Sequence, residues 1–395
     1  MKWTFKFTLL ALAVTSTLAP MLAAPAVKLL LNDFPRTNPL LIQLVVTFSS
    51  FFFLSSLWAG SYLSRRFSKK SILCLGLILY VIGGVGPAFA NSIGTILILR
   101  AVLGLGIGLI TPLMNALVAE HFEGEERTRM NGLTVGVNGL GGAFFLLIGG
   151  TLSSLGWRGV FWTYSFGAIL LILVLSFVPH QKPERVSQVS DSAGNHHTSS
   201  KQKLPAGVYK LGLFTMLLMV VYYVIPTNLA SFLEDHQLGN STVTGYVTAV
   251  SFFLVFLAGV FGPRMTAFLR GSSALLILAL LGSGFLLLGL ANALWIVIIG
   301  VGLVGFGFGL SYPILLSRMA EAAPIEHKAL AVMLMTGFAN AGQFVSPLVS
   351  NGIQTMLGRN SIQSVFLILM SLLFISLLVM AAIGRRRSES LRRTA

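Results

Sequence analysis

Arg100 stands inside a long apolar run with no other charge near it, and it is the only basic residue of the chain so placed. A guanidinium in hydrocarbon costs about 2.5–3.5 kcal/mol even on a lenient insertion scale, so it faces a cavity or a partner. There it can hold an anionic group or tune a neighbouring proton-binding group. The structural alternative is a bond to backbone carbonyls, or a reach back to a surface about 6 residues away. The acidic residues tell the complementary story: none of the 12 Asp and Glu falls in the middle of an apolar run. Glu120 and Glu321, at the ends of two runs, come nearest to the buried carboxylate that proton handling commonly uses, and Glu234, Asp235 and His236 cluster at another end. Enzyme and metal motifs are missing. There is no Gly-x-x-x-x-Gly-Lys-Ser/Thr run, so no built-in ATPase is expected. Gly104 to Gly108 lacks the spacing and the preceding strand of a dinucleotide loop. The lone Cys74 excludes an intramolecular disulfide and a multi-cysteine metal site, and His196-His197 reads as a solvated pair. No cofactor and no metal are expected.

These residues must be positioned by membrane helices. The chain has 395 residues, 55% hydrophobic and 10% charged, with mean hydropathy +0.85. A soluble domain carries about 25% charged residues. Runs of about 20 apolar residues span a hydrocarbon core, and backbone groups there must bond within their own segment, so the fold class is all-α membrane. Twelve spans are expected: 5–30, 40–63, 71–90, 94–118, 130–154, 158–178, 209–232, 242–263, 272–291, 293–316, 328–352 and 362–384. A polar stretch from Pro179, rich in Ser, Gln, Lys and His, separates two sets of six. The expected organisation is residues 1–178 as one six-helix half, 179–208 as a cytoplasmic linker, 209–384 as a second half and 385–395 as a basic tail.

An internal repeat agrees with that division. Gly104-Leu105-Gly106-Ile107-Gly108-Leu109-Ile110-Thr111-Pro112 runs on to Ala119-Glu120, and Gly305-Phe306-Gly307-Phe308-Gly309-Leu310-Ser311-Tyr312-Pro313 runs on to Ala320-Glu321. The offset, about 201 residues, also carries Gly136 onto Gly337 and Gly141 onto Gly342. Following the spans from a cytoplasmic N-terminus puts 22 of the 27 Lys and Arg on the inner side and only Lys28, Arg36, Arg158 and Arg359 outside, with Arg100 embedded. This obeys the positive-inside rule, with both termini cytoplasmic in a cell membrane. The formal charge of +15 then faces anionic lipid rather than nucleic acid. Lys2, Lys6 and Ala23-Ala24-Pro25-Ala26 imitate a cleavable signal peptide, but removal would reverse the parity and break the match between halves, so the segment is read as a span.

Twelve spans in two pseudo-symmetric six-helix bundles with a central linker resemble the major facilitator superfamily over nearly the whole chain. Arg100-Ala101-Val102-Leu103-Gly104-Leu105-Gly106 is similar to its fourth-helix pattern. Leu63-Ser64-Arg65-Arg66-Phe67-Ser68-Lys69-Lys70 looks like its basic loop between helices two and three, except that Arg65 replaces the usual acidic residue and Ser68 the usual Gly. In the fifth span, Gly141, Gly149 and Gly150 fit the spacing of the antiporter motif, whereas Phe145 and Leu146 stand at its Gly-Pro. The eleventh span follows it more closely, with Asn340, Gly342, Ser346 and Pro347. Close-packing glycines and kinking prolines suit a rocking interface. The resemblance marks Arg65, Arg66, Lys69, Lys70, Gly104, Gly108, Gly141, Gly149 and Pro347 as gate or motif residues.

By the same resemblance, spans 1, 4, 7 and 10 line a path with 2, 5, 8 and 11 beside them. Polar or aromatic candidates there are Thr15, Ser16, Gln43, Asn115, Asn138, Tyr222, Tyr223, Asn228, Tyr312, Asn340 and Gln343, some of them as interhelical bonds rather than ligand contacts. What this implies is a secondary transporter working by alternating access, exporting small, partly hydrophobic drug-like compounds in exchange for protons, with Glu120 and Glu321 as coupling candidates. The alternative is uptake or exchange of a small organic anion bound through Arg100. A membrane-embedded sensor or enzyme lacks any appended domain or catalytic cluster. Expected partners are a small-molecule substrate, protons and membrane lipids, without nucleic acid, in a monomer.

Overall fold

The computed structural model describes residues 3–64, 66–179, 204–268, 273–324, 327–357 and 361–394. Arg65, Arg359 and linker residues 180–203 lie outside them. Fourteen α-helices and no strand occur among the described residues: α1 Trp3–Met21, α2 Ala26–Asp33, α3 Pro39–Ser64, α4 Lys69–Val85, α5 Ile93–His121, α6 Gly124–Leu152, α7 Trp157–Phe161, α8 Phe166–Phe177, α9 Ala206–Asp235, α10 Ser241–Phe268, α11 Ser273–Gly289, α12 Leu294–Ala322, α13 Lys328–Met356 and α14 Ile362–Thr394. Short polar side chains start several of them. Ser68 and Ser92 accept from the backbone N–H groups of Ser71 and Thr95, each at 3.2 Å, and Asn240 accepts from that of Val243 at 3.1 Å. Ser68, which departs from the Gly expected in its loop, is thus the N-cap of α4.

Among the described residues, ten helical stretches are long and apolar enough to cross a membrane, so the chain is a multi-pass membrane protein. One place departs from the twelve spans expected. The first stretch is divided: α1, 19 residues long, ends at Met21 and α2 begins at Ala26. Pro25 lacks the N–H group a continuous helix needs, and the chain passes it in tight turns, Ala24 N–H to the Met21 carbonyl (2.9 Å) and Ala26 N–H to that of Ala23 (3.0 Å). In the ninth, 17 helical residues are described, Ser273–Gly289. The third and sixth stretches finish or pass through 3₁₀ turns at Gly86–Phe89 and Trp162–Ser165.

Successive long helices alternate in direction, so one end of the bundle (the near face) carries Trp3, Ser64, His121, Gly124, Ala206 and Ala322. The other (the far face) carries Asp33, Pro39, Leu155, Asp235, Ser241 and Met356. Within the first half α5 packs on α3 and α4; within the second, α12 packs on α10 and α11. The repeated glycines lie at these seams. A methyl group on Gly104 would lie 2.2 Å from the Ser49 carbonyl oxygen of α3, and one on Gly305 would lie 2.7 Å from that of Ser251 in α10. The same sequence feature thus brings corresponding helices to backbone contact in each half. Across the halves, α6 packs on α10 and α3 on α13.

Candidate functional site

Between the halves lies a cavity of about 400 Å³ walled by eight helices. The first half contributes Pro20 and Met21 of α1, Ser49, Ser50 and Phe53 of α3, Ile107 and Thr111 of α5, and Asn138 and Gly139 of α6. From the second come Met219, Tyr222 and Tyr223 of α9, Phe252, Val255, Phe256 and Gly259 of α10, Phe308, Gly309, Tyr312 and Pro313 of α12, and Thr336, Asn340 and Gln343 of α13. Spacings of three, four and seven residues hold each set on one helical face. Every one of these side chains is uncharged.

Aromatic rings dominate the second half of the wall. Tyr222 stacks on Phe308 with centroids 4.0 Å apart and planes 11° from parallel, and Phe308 continues to Tyr312 at 6.0 Å and 28°. The polar groups are few. Ser50 donates to Gln343 Oε1 at 2.7 Å, bridging α3 and α13 across the halves. Asn340 Nδ2 donates to the Thr336 carbonyl at 2.9 Å. Ser49 Oγ and Asn138 Oδ1 are buried without a hydrogen-bond partner.

Toward the far face the cavity ends in a buried amide net. Gln43 Nε2 donates to Asn228 Oδ1 at 2.9 Å, Asn351 Nδ2 donates to Gln43 Oε1, and Asn228 Nδ2 donates to the Val224 carbonyl at 2.9 Å. Gln43 and Asn228, both expected as binding residues, therefore close the cavity instead of lining it. Beyond this net, Lys28 pairs with Asp235 at 2.6 Å, Asn32 donates to Glu234 at 3.3 Å, and Ser153 Oγ lies 3.3 Å from Thr242 Oγ1, all across the halves. The near-face ion pairs, Lys6–Glu126 and Lys69–Glu120, each join helices of the first half. One turn from Thr111 and Tyr312 toward the near face, Asn115 and Leu316 are exposed, at positions the 201-residue offset relates. The cavity therefore opens toward the near face.

A family profile described as Major Facilitator Superfamily matches residues 7–347 and 211–395. The chain belongs to the Major Facilitator Superfamily. It is a multi-pass membrane protein. Among relatives, the multidrug transporter AQR1 of Candida glabrata is 29% identical over 191 residues, 48% of this chain and 32% of that protein. The chain thus spans about a third of the length of the AQR1 protein it matches. The quinolone resistance protein NorA of Staphylococcus aureus is 24% identical over 344 residues, 84% of this chain and 85% of that one. Two solved superfamily structures share the fold. The nucleoside transporter NupG (D323A mutant) superposes with TM-score 0.76 at 12% identity, over 96% of this chain and 99% of that one. A D-xylose-proton symporter gives 0.73 at 17%, over 96% and 97%.

Five of the binding residues expected from the sequence, Tyr222, Tyr223, Tyr312, Asn340 and Gln343, meet at the superfamily cavity together with Asn138. Asn115 lies beyond its near-face rim, and Thr15 is buried with its hydroxyl on the Leu12 carbonyl at 2.7 Å. Arg100 is elsewhere. It is fully buried in the first half, donating to the Tyr164 hydroxyl at 2.9 Å and lying 4.8 Å from the ring centroids of both Phe161 and Tyr164. Arg100 is not among the residues that line the cavity, and its charge lies against aromatic rings instead. Its Nε and Nη2 atoms are without hydrogen-bond partners.

The expected motif residues do structural work around the cavity. Exposed Arg66 lies over the Tyr62 ring at 5.2 Å, and Lys70 donates to the Leu175 carbonyl at 2.7 Å. Gly108 faces the Phe53 carbonyl, Gly141 faces Val14, and Gly149 lies near Thr163. Pro347 frees α13 locally, and its carbonyl accepts from Asn351 Nδ2 at 2.8 Å. Glu321 is exposed at the near-face end of α12. Sequence reasoning missed Ser49, Ser50, Thr111 and Thr336, and the rings of Phe252, Phe256 and Phe308. The only available signal for Phe308 was its place inside the repeated glycine stretch.

Proposed function

We propose that this superfamily member exports small amphipathic, drug-like compounds from the cytoplasm by alternating access, driven by the proton gradient across the plasma membrane. The observation that carries the reading is the uncharged, aromatic cavity between the halves, open at the near face and latched at the far one. The excess of basic residues on that side supports a cytoplasmic near face, with both termini there. The two halves, 1–178 and 209–384, rock about the cavity, and substrate and protons bias the two openings by differential affinity. The names of the relatives, a multidrug transporter and a quinolone resistance protein, support export rather than uptake.

No carboxylate lines the cavity among the described residues. Coupling is therefore assigned to helix-end carboxylates, first Glu120, whose ion pair with Lys69 ties α5 to α4. Protonating Glu120 releases that tie. One chain encloses the entire cavity, so the working unit is a monomer in contact with lipid. Transport into inverted membrane vesicles tests this reading. An acidic lumen should drive accumulation of a neutral aromatic dye, and Glu120→Gln should abolish the gradient dependence while sparing dye binding. Gradient-independent equilibration in the native protein would contradict coupled export.

A further inference from the structure

We infer that the cavity selects flat, uncharged aromatic molecules with a polar edge, over organic cations and organic anions alike. This rests on the cavity being the substrate site, as proposed above. Three observations carry it. First, among the described residues the wall holds neither an acidic nor a basic side chain, and Arg100 is enclosed among Phe161 and Tyr164. An ion entering this wall gives up hydration and finds no opposite charge. Ring faces attract cations, but Tyr222 and Phe308, stacked at 4.0 Å, each commit one face to the other.

Second, the wall offers ring surface to a flat guest. The Tyr222–Phe308–Tyr312 stack and the rings of Phe252 and Phe256 make offset or edge contacts with an aromatic ligand favourable. Third, two polar atoms in this wall are unpaired. Ser49 is 1% exposed, and its Oγ has no partner; nor has Asn138 Oδ1, on α6 of the same half. Buried polar atoms are almost always paired, so a ligand bearing an N–H or O–H at its edge completes them. An amide or phenol fits this description; a quaternary ammonium has no proton to donate.

The test uses three probes of one shape: 2-naphthamide, 2-naphthyltrimethylammonium and 2-naphthoate, titrated against the purified full-length protein. The naphthamide should bind at least tenfold tighter than either ion. Asn138→Asp places a carboxylate in the wall and should bring the ammonium probe above the amide; Ser49→Asp serves if the first variant does not fold. Either ion binding native protein as tightly as the amide overturns the inference, as does absence of naphthamide binding, or an unchanged order in a folded Asp variant. Tight naphthamide binding without gradient-driven export would defeat the export reading and leave this selectivity standing.

Discussion

Tyr222 and Phe308 come from helices α9 and α12 and meet face to face at the cavity wall. Aromatic pairs contribute about 0.5–1.5 kcal/mol beyond their buried area, and 1.4 kcal/mol is tenfold in affinity. Phe308→Ala should therefore weaken naphthamide binding about tenfold, read by titration calorimetry. Arg100→Ala should act on stability alone. It removes the donor to the Tyr164 hydroxyl and leaves a void against Phe161, so the melting temperature should fall while naphthamide affinity stays within about twofold. A tenfold affinity loss at unchanged melting temperature would place Arg100 on the binding path. At this scale the tyrosines and amides were legible, since a polar atom in an apolar run needs a partner or a cavity. Phe252, Phe256 and Phe308 were not, because a ring facing lipid and a ring facing a cavity satisfy the same composition.

The helices carry a second layer of information in their glycines and caps. A side chain at Gly104 would collide with the Ser49 backbone, whereas one at Gly132 in α6 would meet nothing within 4 Å. Gly104→Ala should sharply reduce folded yield, and Gly132→Ala should hold or raise the melting temperature, since Ala is favoured over Gly in a helix by about 1 kcal/mol. Equal effects of the two would remove the close-approach account of the repeat. The far-face net makes a different prediction. Gln43→Ala leaves the Asn228 and Asn351 amides without that partner in a buried place, at a cost of about 1–3 kcal/mol for each group. In a Cys74→Ser background, a Ser350→Cys reporter should then react faster with maleimide from the far face. The glycine repeat was legible because backbone contact admits no side chain. The break at Leu22–Pro25 was not anticipated, although Pro25 supplied its chemistry.

For the whole molecule, hydropathy alone announced a helical membrane bundle, because lipid leaves the backbone no other way to satisfy its polar groups. The division of the first apolar stretch after Met21 was beyond it: hydropathy averages over a window and does not see where a helix ends. Which face is open was also hidden, since one sequence must fold into both openings. The far-face seam supplies the decisive handle on that alternation. Ser153 of the first half and Thr242 of the second touch there, their hydroxyl oxygens 3.3 Å apart. Ser153→Cys with Thr242→Cys, in the Cys74→Ser background, should form a disulfide on oxidation and hold the far face shut. The measurement is naphthamide transport by oxidised and re-reduced protein beside naphthamide binding: transport should stop and return on reduction, with binding retained throughout. Undiminished transport by the fully cross-linked protein would contradict alternating access through this cavity.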